Sequence, residues 1–501
     1  MVAAQDEIVA FLSDGGSYGL PGAKVERIET HCSIVFLVGD RAYKLKRLVA
    51  FSSLDYSTIE RREAACRAEL ELNRRTAPEL YLGVHAIRRR TAGELGFDGE
   101  GSIIDWVVAM RRVDQADLFD HLADAGRLTP ESIAALADEI AQFHETAERV
   151  VGFGGANGLR AAIERNSCDL KTVEAILGRD AAESLYNASL DALERAGPLL
   201  DRRRDEGRVR RCHGDLRLAN ICLLDGRPTL FDAIEFSDQV SCTDVLFDLA
   251  FLLIDLRHHG LDVLANILFN RYLDATGDSE GLPALPLMLS VRAATRAYIL
   301  AGAVQRQARE EEARRHAAAA RSHLALASSL LADAPAKLIA VGGVGGRSKA
   351  SVVHDLAATV RPVPGARVLR SDVARRRLVN IPPNARLPAA AYDAATTERA
   401  YADLASAAKQ VVTAGFSAIV DASFVHPEQR QAIVAAASGA SVPFVGLWLG
   451  APQDLQRAAA AGAGDWHAIQ QNRLGLATTL ATARLLVRAV SAIRRCPPAH
   501  R

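Results

Sequence analysis

A segment near the middle of the chain combines an imidazole, a carboxylate and a side-chain amide at short intervals. It has the form H-x-D-x-x-x-x-N from His213 to Asn220, and Asp232 follows at the end of the strand-like stretch 228–231. A carboxylate within hydrogen-bond reach of a hydroxyl can orient or deprotonate it, while an amide and a second carboxylate can hold Mg²⁺ against nucleotide phosphates. The spacing therefore predicts phosphoryl transfer, with Asp215 at the hydroxyl and with Asn220 and Asp232 as metal ligands.

Two neighbouring side chains complete the predicted catalytic loop. His213 is expected to brace the loop, and Arg217 is expected to reach the transferring phosphate and neutralise developing charge. Asp and Asn are also ordinary turn-forming residues, so a polar loop that caps a strand is the alternative interpretation of this segment alone. The remaining parts of such a site are needed to decide between the two.

The N-terminal region supplies the lysine and the glutamate that such a site requires. In kinases a lysine on the third strand holds the α- and β-phosphates and is ion-paired with a glutamate on the following helix. Lys44, on the predicted strand 42–48, fits the first role, and Lys46 on the same strand face is the alternative. Glu69, on the next predicted helix, fits the second role, with Glu63 as the alternative. The order and intervals of these residues favour a kinase site.

These residues fall on a β-rich segment that is followed by a mostly helical one. Alternating apolar residues and a Gly-Asp turn predict strands at 25–30, 33–38, 42–48 and 103–110. A helix is predicted at 58–75, helical periodicity dominates 114–200, and long helical stretches run from 244 to about 330.

With these motifs, residues 20–330 resemble the aminoglycoside phosphotransferase and choline kinase superfamily, a small-molecule branch of the protein-kinase-like fold. The signature H-G-D-x-x-x-x-N of that family stands at 213–220, its second acidic motif at 231–236 and its D-L-A helix start at 248–250. The resemblance implies a bilobal fold with a small β-rich N-lobe at about 20–112 and a helical C-lobe at about 113–330. One departure is Arg217, where relatives of this subgroup usually carry histidine.

The resemblance also implies further site residues. It implies that Asp248 is a structural support of the catalytic loop rather than a reacting group. Adenine is expected to bind backbone groups in a hinge between Met110 and Arg112. The turn that contains Thr30 and His31 is expected to cover the phosphates, because this chain, like the family, lacks the Gly-rich loop of protein kinases.

A second glycine-rich segment follows a predicted strand in the C-terminal third of the chain. A P-loop has the form G-x-x-x-x-G-K-[ST], in which backbone N–H groups and the lysine hold phosphates and the hydroxyl binds Mg²⁺. The pattern here starts at Gly343, contains Gly346 and retains Lys349. Ser348 stands in place of the second glycine, and Ala350 in place of the hydroxyl. The sequence therefore predicts a degenerate P-loop.

Strands and helices alternate after this loop, which predicts a three-layer α/β domain with a parallel sheet. Asp372 and Asp421 follow its second and third predicted strands and are candidates to position an acceptor and Mg²⁺ respectively. The region resembles the P-loop kinase group that includes gluconate-kinase-like and zeta-toxin-like proteins. The predicted organisation is multi-domain α/β, with a kinase-like domain, a linker and a P-loop domain at 1–330, 331–336 and 337–495.

The composition limits the classes of partner. Sixty Lys and Arg residues balance 60 Asp and Glu residues, so there is no surplus of positive charge to hold nucleic acid. The seven cysteines are sparse and never spaced C-x-x-C, which argues against a disulfide framework or a structural zinc site. No run of 18 apolar residues is present. We therefore expect a cytoplasmic protein that binds neither membrane nor nucleic acid.

The predicted function is ATP- and Mg²⁺-dependent transfer of the γ-phosphoryl group to a hydroxyl of a small molecule, such as an aminoglycoside or a sugar. One alternative is a non-catalytic sensor or scaffold in which both halves bind nucleotide. The other is a small-molecule kinase in the P-loop half with a regulatory N-terminal half. His144, on a predicted helix with Phe143, could approach the site, but it is interpreted as a helix-surface residue.

Overall fold

The computed structural model describes most of the chain, namely residues 2–30, 32–51, 54–91, 93–304, 309–343, 347–381, 385–450, 466–469 and 476–493. The chain forms two compact units. The first comprises residues 1–158 and 200–255, and the second comprises residues 159–199 and 256–501.

The first unit begins with a helix and a six-stranded antiparallel sheet. Helices α1 and α2 span Val2–Leu12 and Ile59–Asn73. Strands β1 to β8 span Glu26–Glu29, Ser33–Val38, Arg41–Lys46, Ala50–Phe51, Leu54–Asp55, Tyr81–Arg89, Leu95–Phe97 and Ser102–Arg111. The sheet has the order β1-β2-β3-β8-β6-β7, and β4 pairs with β5 outside it.

The side chains of β3 alternate between two apolar clusters on opposite faces of this sheet. Leu45 packs in the cluster that includes residues of α1, and Ala42 packs in the cluster that includes Cys66 of α2. Because successive side chains of a strand point to opposite faces, Lys44 and Lys46 lie on the same face as Ala42. Both lysines are therefore directed towards α2.

The remainder of the first unit is helical, apart from two short β-pairs. Helices α3 to α9 span Phe119–Asp124, Pro130–Thr146, Gly155–Thr172, Glu174–Leu177, Arg179–Asp205, Asp238–Ser241 and Val245–His258, of which residues 159–199 and 256–258 lie in the second unit. Strands β9 to β12 span Val209–Arg211, Ile221–Leu224, Arg227–Leu230 and Cys242–Asp244. Strands β10 and β11 form an antiparallel hairpin, and β9 pairs antiparallel with β12.

The second unit contains long helices before its sheet begins. Helices α10 to α12 span Asp262–Thr276, Leu285–Val304 and Glu310–Leu331. The segment Ser279–Val304 is long and apolar enough to cross a membrane by length and composition alone. Its 18-residue apolar window has a mean hydropathy of 1.3, but 61% of that window is buried inside the structure. That burial is expected for a helix in the core of a folded domain.

The sheet of the second unit is parallel, with helices between its strands. Strands β13 to β17 span Leu338–Gly343, Arg367–Arg370, Ala418–Asp421, Phe444–Leu449 and Trp466–Ile469. Helices α13 to α17 span Arg347–Thr359, Ser371–Leu378, Ala394–Thr413, Pro427–Gly439 and Leu476–Ile493. The strand order is β14-β15-β13-β16-β17, and every pairing within it is parallel.

The outer edge of β14 is covered by side chains of α10 rather than by another strand. The backbone N–H of Val368 donates to Asn270 Oδ1 at 2.7 Å. Asn266 and Asn270 each donate a side-chain N–H to the carbonyl that precedes the strand, at 3.1 Å. The buried side chain of Arg367 pairs with Asp274 at 2.5 Å. Helix α10 thus supplies the hydrogen bonds that a further strand would otherwise provide.

The predicted fold class is confirmed: a β-rich sheet precedes a helical region, and a parallel α/β sheet follows. Residues 332–337, all of them described, form neither helix nor strand, and they overlap the predicted linker 331–336. The domain boundaries themselves stay a prediction.

Candidate active site

The loop between β9 and β10 is held by one buried carboxylate. Asp248 accepts hydrogen bonds from two successive backbone N–H groups, that of His213 at 3.1 Å and that of Gly214 at 2.9 Å. Gly214 has a φ of +84°, in the left-handed region that favours glycine. Asp248 thus fixes the backbone immediately before Asp215.

His144 contacts the same carboxylate. Its Nε2 atom lies 3.2 Å from Asp248 Oδ2, and its side chain is only 2% exposed. The interpretation of His144 as a surface residue is therefore wrong. It lies one helical turn after Ile140, on the buried face of α4, and this spacing could have indicated burial. Cys212 lies close to both side chains, and both oxygens of Asp248 accept hydrogen bonds from the loop backbone.

Asp215 is held from two sides by its own loop. Arg217 Nε donates to Asp215 Oδ1 at 2.9 Å, and Asn220 Nδ2 donates to Asp215 Oδ2 at 2.9 Å. Burial alone would lower the pKa of Arg217, but the nearby Asp215 and Asp255 carboxylates outweigh it and raise that pKa. The Asp215 carboxylate is therefore ion-paired, oriented by two donors and 27% exposed.

Asn220 and Asp232 stand at the two ends of the β10–β11 hairpin. The backbone N–H of Phe231 donates to the Asn220 carbonyl at 3.0 Å, which brings the ends together. His213 Nε2 lies 2.9 Å from the Phe231 carbonyl, so His213 joins the loop to the residue before Asp232. Burial is the main cause that lowers the pKa of His213, with Asp248 opposing it, and the ring is therefore neutral at pH 7.

Asp232 has an unusual backbone for a residue with a side chain. Its φ is +62°, which costs energy for a non-glycine residue and is found mostly where the surroundings enforce it. Its N–H donates to the Tyr81 hydroxyl at 3.2 Å, and the next N–H, of Ala233, donates to Asn73 Oδ1 at 2.8 Å. These bonds from β6 and α2 hold the turn that directs the Asp232 carboxylate.

Lys44 joins three elements that are distant in sequence. Its Nζ donates to Glu69 Oε1 of α2 at 2.9 Å and to Asp232 Oδ1 at 2.5 Å. Burial would lower the pKa of Lys44, but attraction by Asp232 and then by Glu69 outweighs it and raises the pKa well above its usual value. Burial would raise the pKa of Asp232, but Lys44 lowers it to about 2. Lys44 and Asp232 are therefore both charged at pH 7.

Lys46, the alternative lysine, contacts the same glutamate. Its Nζ pairs with Glu69 Oε2 and with Glu235 Oε1, and the side chain is almost fully buried. Burial would lower the pKa of Lys46, but Glu235 and Glu69 raise it well above its usual value. Glu63, the alternative glutamate, pairs instead with Arg67 on the exposed face of α2 at 2.8 Å.

Glu235 is the site residue that sequence reasoning missed. Tyr56 donates its hydroxyl to Glu235 Oε1 at 2.7 Å, in addition to the Lys46 contact. Burial would raise the pKa of Glu235, but Lys46 outweighs it and lowers that pKa. The signal was the interval between Asp232 and Glu235 in the second acidic motif, together with two lysines on one face of β3.

The predicted hinge and phosphate cover have defined backbone contacts. Met110 lies in β8 and pairs with Ala42 of β3. The N–H of Arg112 donates to the Asp40 carbonyl at 2.8 Å, so this donor is already engaged. Thr30 forms a tight turn before β2, in which its Oγ1 accepts from a backbone N–H at 3.0 Å. His31 lies outside the described residues.

In the second unit, the P-loop lysine is directed towards the end of β15. Lys349 Nζ lies 2.8 Å from Asp421 Oδ1 and donates to the Ala422 carbonyl at 3.0 Å. Gly343 has a φ of +113°, and a Cβ there would lie 2.3 Å from the Leu449 carbonyl oxygen, so only glycine fits. Lys349 and Asp421 are thus close together, as the predicted second site requires.

The other residues of that predicted site are more dispersed. Asp372, in the first turn of α14, pairs with Arg370 at 3.0 Å and with Arg376 at 2.6 Å. Its carboxylate is therefore engaged by two local cations. Gly346 and the side chain of Ser348 lie outside the described part of the chain.

Two models of known protein families match separate parts of the chain. The model of a family described as "Phosphotransferase enzyme family" matches residues 35–285, which is half of the chain. The model of a family described as "AAA domain" matches residues 338–462.

Individual relatives are distant. The uncharacterized protein Rv2004c of Mycobacterium tuberculosis (strain ATCC 25618 / H37Rv) is 29% identical over 411 residues, covering 80% of this chain and 79% of the relative. A choline kinase of Cryptosporidium parvum Iowa II is 12% identical with a TM-score of 0.40, covering 64% of this chain and 94% of that one. A choline/ethanolamine kinase family protein of Mesorhizobium loti is 16% identical with a TM-score of 0.38, covering 65% of this chain and 99% of that one. By the family match over half its length, the chain belongs to the phosphotransferase enzyme family.

Proposed function

We propose that this protein is an ATP-dependent phosphotransferase that transfers the γ-phosphoryl group to a hydroxyl of a small molecule. The observation that carries the proposal is the position of Lys44, whose Nζ contacts both Glu69 and Asp232. A buried lysine between a helix glutamate and a metal-binding carboxylate is the arrangement that phosphoryl transfer by kinases requires. The family match supports the reaction class.

Asp215 is proposed to orient and accept the proton of the acceptor hydroxyl. Its carboxylate is 27% exposed, so an acceptor can reach it, while Asn220 and Arg217 hold its two oxygens. The pKa of Arg217 is raised, so the guanidinium keeps its charge. Arg217 can therefore pair with the transferring phosphate when that group lies beside Asp215. General-base assistance of this kind contributes about 100- to 10,000-fold to a rate.

Asn220 and Asp232 are proposed to hold Mg²⁺. The donor set fits, because an amide oxygen and a carboxylate oxygen are hard ligands and Mg²⁺ is usually held by one or two carboxylates together with substrate phosphates. The Asp232 side chain is 41% exposed and ionised, so it is available as a ligand. Bound Mg²⁺ would neutralise charge on the nucleotide phosphates.

ATP is proposed to lie between Lys44 and the segment Met110 to Arg112. Lys44 carries the α- and β-phosphates and Glu69 orients it, as in the ion pair present here. Partly buried Val35 and Phe231 pack against the apolar cluster that contains Met110, and they are candidates to contact adenine. Thr30 and His31 remain the residues proposed to cover the phosphates.

The test is ATP turnover by the full chain in the presence of Mg²⁺ and a panel of aminoglycosides, amino sugars and sugars. Asp215→Asn should lower turnover at least about 100-fold. The matched control is Asp205→Asn, which removes an exposed carboxylate from the end of α7 and should leave turnover unchanged. Turnover of Asp215→Asn at the wild-type rate would show that Asp215 does not have this role.

For the P-loop half we propose nucleotide binding without transfer. Lys349 is retained beside Asp421, which supports phosphate binding, whereas Ala350 supplies no hydroxyl for Mg²⁺. Calorimetric titration with a non-hydrolysable ATP analogue should then give two sites per chain, and Lys349→Ala should give one. If Lys349→Ala instead abolishes all turnover, the P-loop half is the enzyme.

The acceptor is proposed to be a small molecule that carries a hydroxyl group. The protein itself is proposed to be cytoplasmic. The seven cysteines are sparse and never spaced C-x-x-C, which supports a reducing compartment. The balanced charge supports the expectation that the protein does not hold nucleic acid.

A further inference from the structure

Lys46 and Glu235 form a second ion pair beside the one that the proposed mechanism uses. Lys46 is 1% exposed, and its Nζ contacts both Glu69 Oε2 and Glu235 Oε1. The Tyr56 hydroxyl adds a hydrogen bond of 2.7 Å to Glu235, and the Tyr56 ring centroid lies 5.3 Å from Lys46 Nζ. A buried ammonium is costly unless it is paired, and this one is paired twice.

The two ion pairs share Glu69 and form one continuous chain of charges. In order, the members are Asp232, Lys44, Glu69, Lys46 and Glu235. Each oxygen of Glu69 faces a different lysine, so the glutamate cannot rotate without losing one of them. Lys46 therefore fixes the orientation in which Glu69 presents its other oxygen to Lys44.

Nucleotide binding affects the two ends of this row of charges, the Asp232 end and the Glu235 end, differently. The proposed function assigns Lys44 to phosphates and Asp232 to Mg²⁺, so their mutual contact must weaken when both bind. Lys46 and Glu235 have no such assignment. Among the ion pairs described here, Lys46–Glu235 is then the one that still connects β3 to the segment 231–236 that carries the metal ligand.

The backbone contacts of that segment do not replace this pair. The N–H groups of Asp232 and Ala233 are held by Tyr81 and Asn73, which lie in β6 and α2 rather than in β3. Beyond Ala233, the side chain of Glu235 is the point of attachment to β3. The strand with the phosphate-binding lysine and the segment with the metal ligand are thus tied together through it.

We propose that Lys46 and Glu235 are a positioning pair that keeps Asp232 in place for Mg²⁺ while Lys44 is occupied by nucleotide. The proposal rests on the proposed function. In the simplest kinase site, one lysine and one glutamate both bind the ligand and hold the surrounding framework, and here these two tasks are divided. Lys44 binds the ligand, and Lys46 holds the framework around it.

The test uses Glu235→Gln in the full chain, because glutamine keeps the shape and an acceptor for Tyr56 but removes the charge that faces Lys46. Binding of a non-hydrolysable ATP analogue is measured by calorimetry, first without metal and then with increasing Mg²⁺. Metal-free affinity should be unchanged, and the Mg²⁺ concentration for half-maximal tightening should rise about 10- to 100-fold, as for residues that orient metal ligands. Hydrogen exchange of the backbone amides at 232–236 in the nucleotide complex should also increase.

The matched control is Asp105→Asn. Asp105, in β8, forms another buried ion pair with the helix that carries Glu69, through Arg62 Nε of α2 at 2.7 Å, and this pair has no contact with the segment 231–236 in any described interaction. Asp105→Asn should lower thermal stability but leave the Mg²⁺ dependence unchanged. Lys46→Met should shift the Mg²⁺ dependence in the same direction as Glu235→Gln, and the double variant should shift it less than the sum of the two.

The outcomes separate this inference from the proposed function. If the wild-type chain binds no ATP analogue in its first unit, as judged with Lys44→Met, the proposed function fails and the inference fails with it. If the wild type binds and turns over ATP, but Glu235→Gln shifts the Mg²⁺ dependence no more than Asp105→Asn does, the pair is only structural. That result overturns the inference and leaves the proposed function intact.

Discussion

The hydrogen bonds of Asp248 to the loop between β9 and β10 lead to a quantitative prediction for Asp248→Asn. The wild-type carboxylate is fully buried and accepts from the N–H groups of His213 and Gly214 at 3.1 and 2.9 Å, and it lies 3.2 Å from His144 Nε2. Asparagine has only one acceptor oxygen, so one backbone N–H loses its partner and faces an amide N–H instead. The change also removes the charge that strengthens the remaining bonds.

The expected magnitude follows from these lost contacts. An unsatisfied buried donor costs about 1–3 kcal/mol, and weakening of the charge-assisted bonds adds about 1 kcal/mol, for a total of about 2–4 kcal/mol. Because the chain contains two compact units, a single unfolding free energy is not well defined, and the local opening of the loop is the better quantity. The amides of His213 and Gly214 should exchange roughly 30- to 1,000-fold faster in Asp248→Asn.

The same variant should lower ATP turnover far more than nucleotide affinity. Asp215 follows the supported amides directly, and a misplacement of about 1 Å can cost about 100-fold in rate. Lys44 and Glu69 do not contact Asp248, so binding of an ATP analogue should persist. Glu206→Gln, at an exposed pair with Arg202 of 3.9 Å, is the control. Exchange and turnover at wild-type levels in Asp248→Asn would refute the assignment of Asp248 as the support.

Three further predictions concern pH and the second sheet. The pKa of Asp232 is lowered from 3.8 to about 2, so the stabilisation from its ionised form is complete above pH 3.8 and is lost as pH falls towards 2. Asp232→Asn should therefore flatten the acid limb of a circular-dichroism titration, and an unchanged limb would contradict this. Burial lowers the pKa of His213 from 6.5, so the contribution of His213 to stability is complete above pH 6.5 and declines as pH falls below it. His213→Gln should therefore reduce the pH dependence of the thermal unfolding temperature below pH 6.5, and a pH dependence equal to that of the wild type would argue against this. Asn270→Ala removes the acceptor of the buried Val368 N–H, at a cost of about 1–3 kcal/mol, and should speed exchange of that amide, whereas Ala275→Ser on the exposed face of α10 should not; equal exchange in both variants would show that Asn270 does not protect the strand.

The parts of the site that could be predicted are those in which residue type and spacing are sufficient. Lys44 follows from strand alternation, because Ala42 and every second residue after it share one face. Glu69 follows from its place on the helix after that strand. The sequence positions of Asp215 and Asn220 follow from the short loop itself, whose length leaves few alternative geometries. These are local properties, and local properties are present in the amino-acid sequence.

The parts that were missed depend on what packs against them. His144 looks like a polar residue on an amphipathic helix until Asp248, from α9, lies beside it. The sequence does not single out Glu235, and it offers Lys46 only as the alternative to Lys44, because the burial of each charge depends on the other, which is 189 residues away in the sequence. Strand β6, whose residues Tyr81 to Arg89 mix polar and apolar types without clean alternation, is a strand because β8 and β7 pair with its two edges.

The attachment of α10 to β14 determines how this polypeptide can be dissected. A fragment beginning at residue 337 would retain β13 to β17 but would lose Asn266, Asn270 and Asp274. It would expose the outer hydrogen-bonding groups of β14 and leave the guanidinium of Arg367 without its carboxylate. Open strand edges recruit strands from other molecules, so such a fragment should self-associate or precipitate. A fragment beginning before Asp262 would keep the cover, and the boundary suggested by the linker is therefore the wrong place to cut.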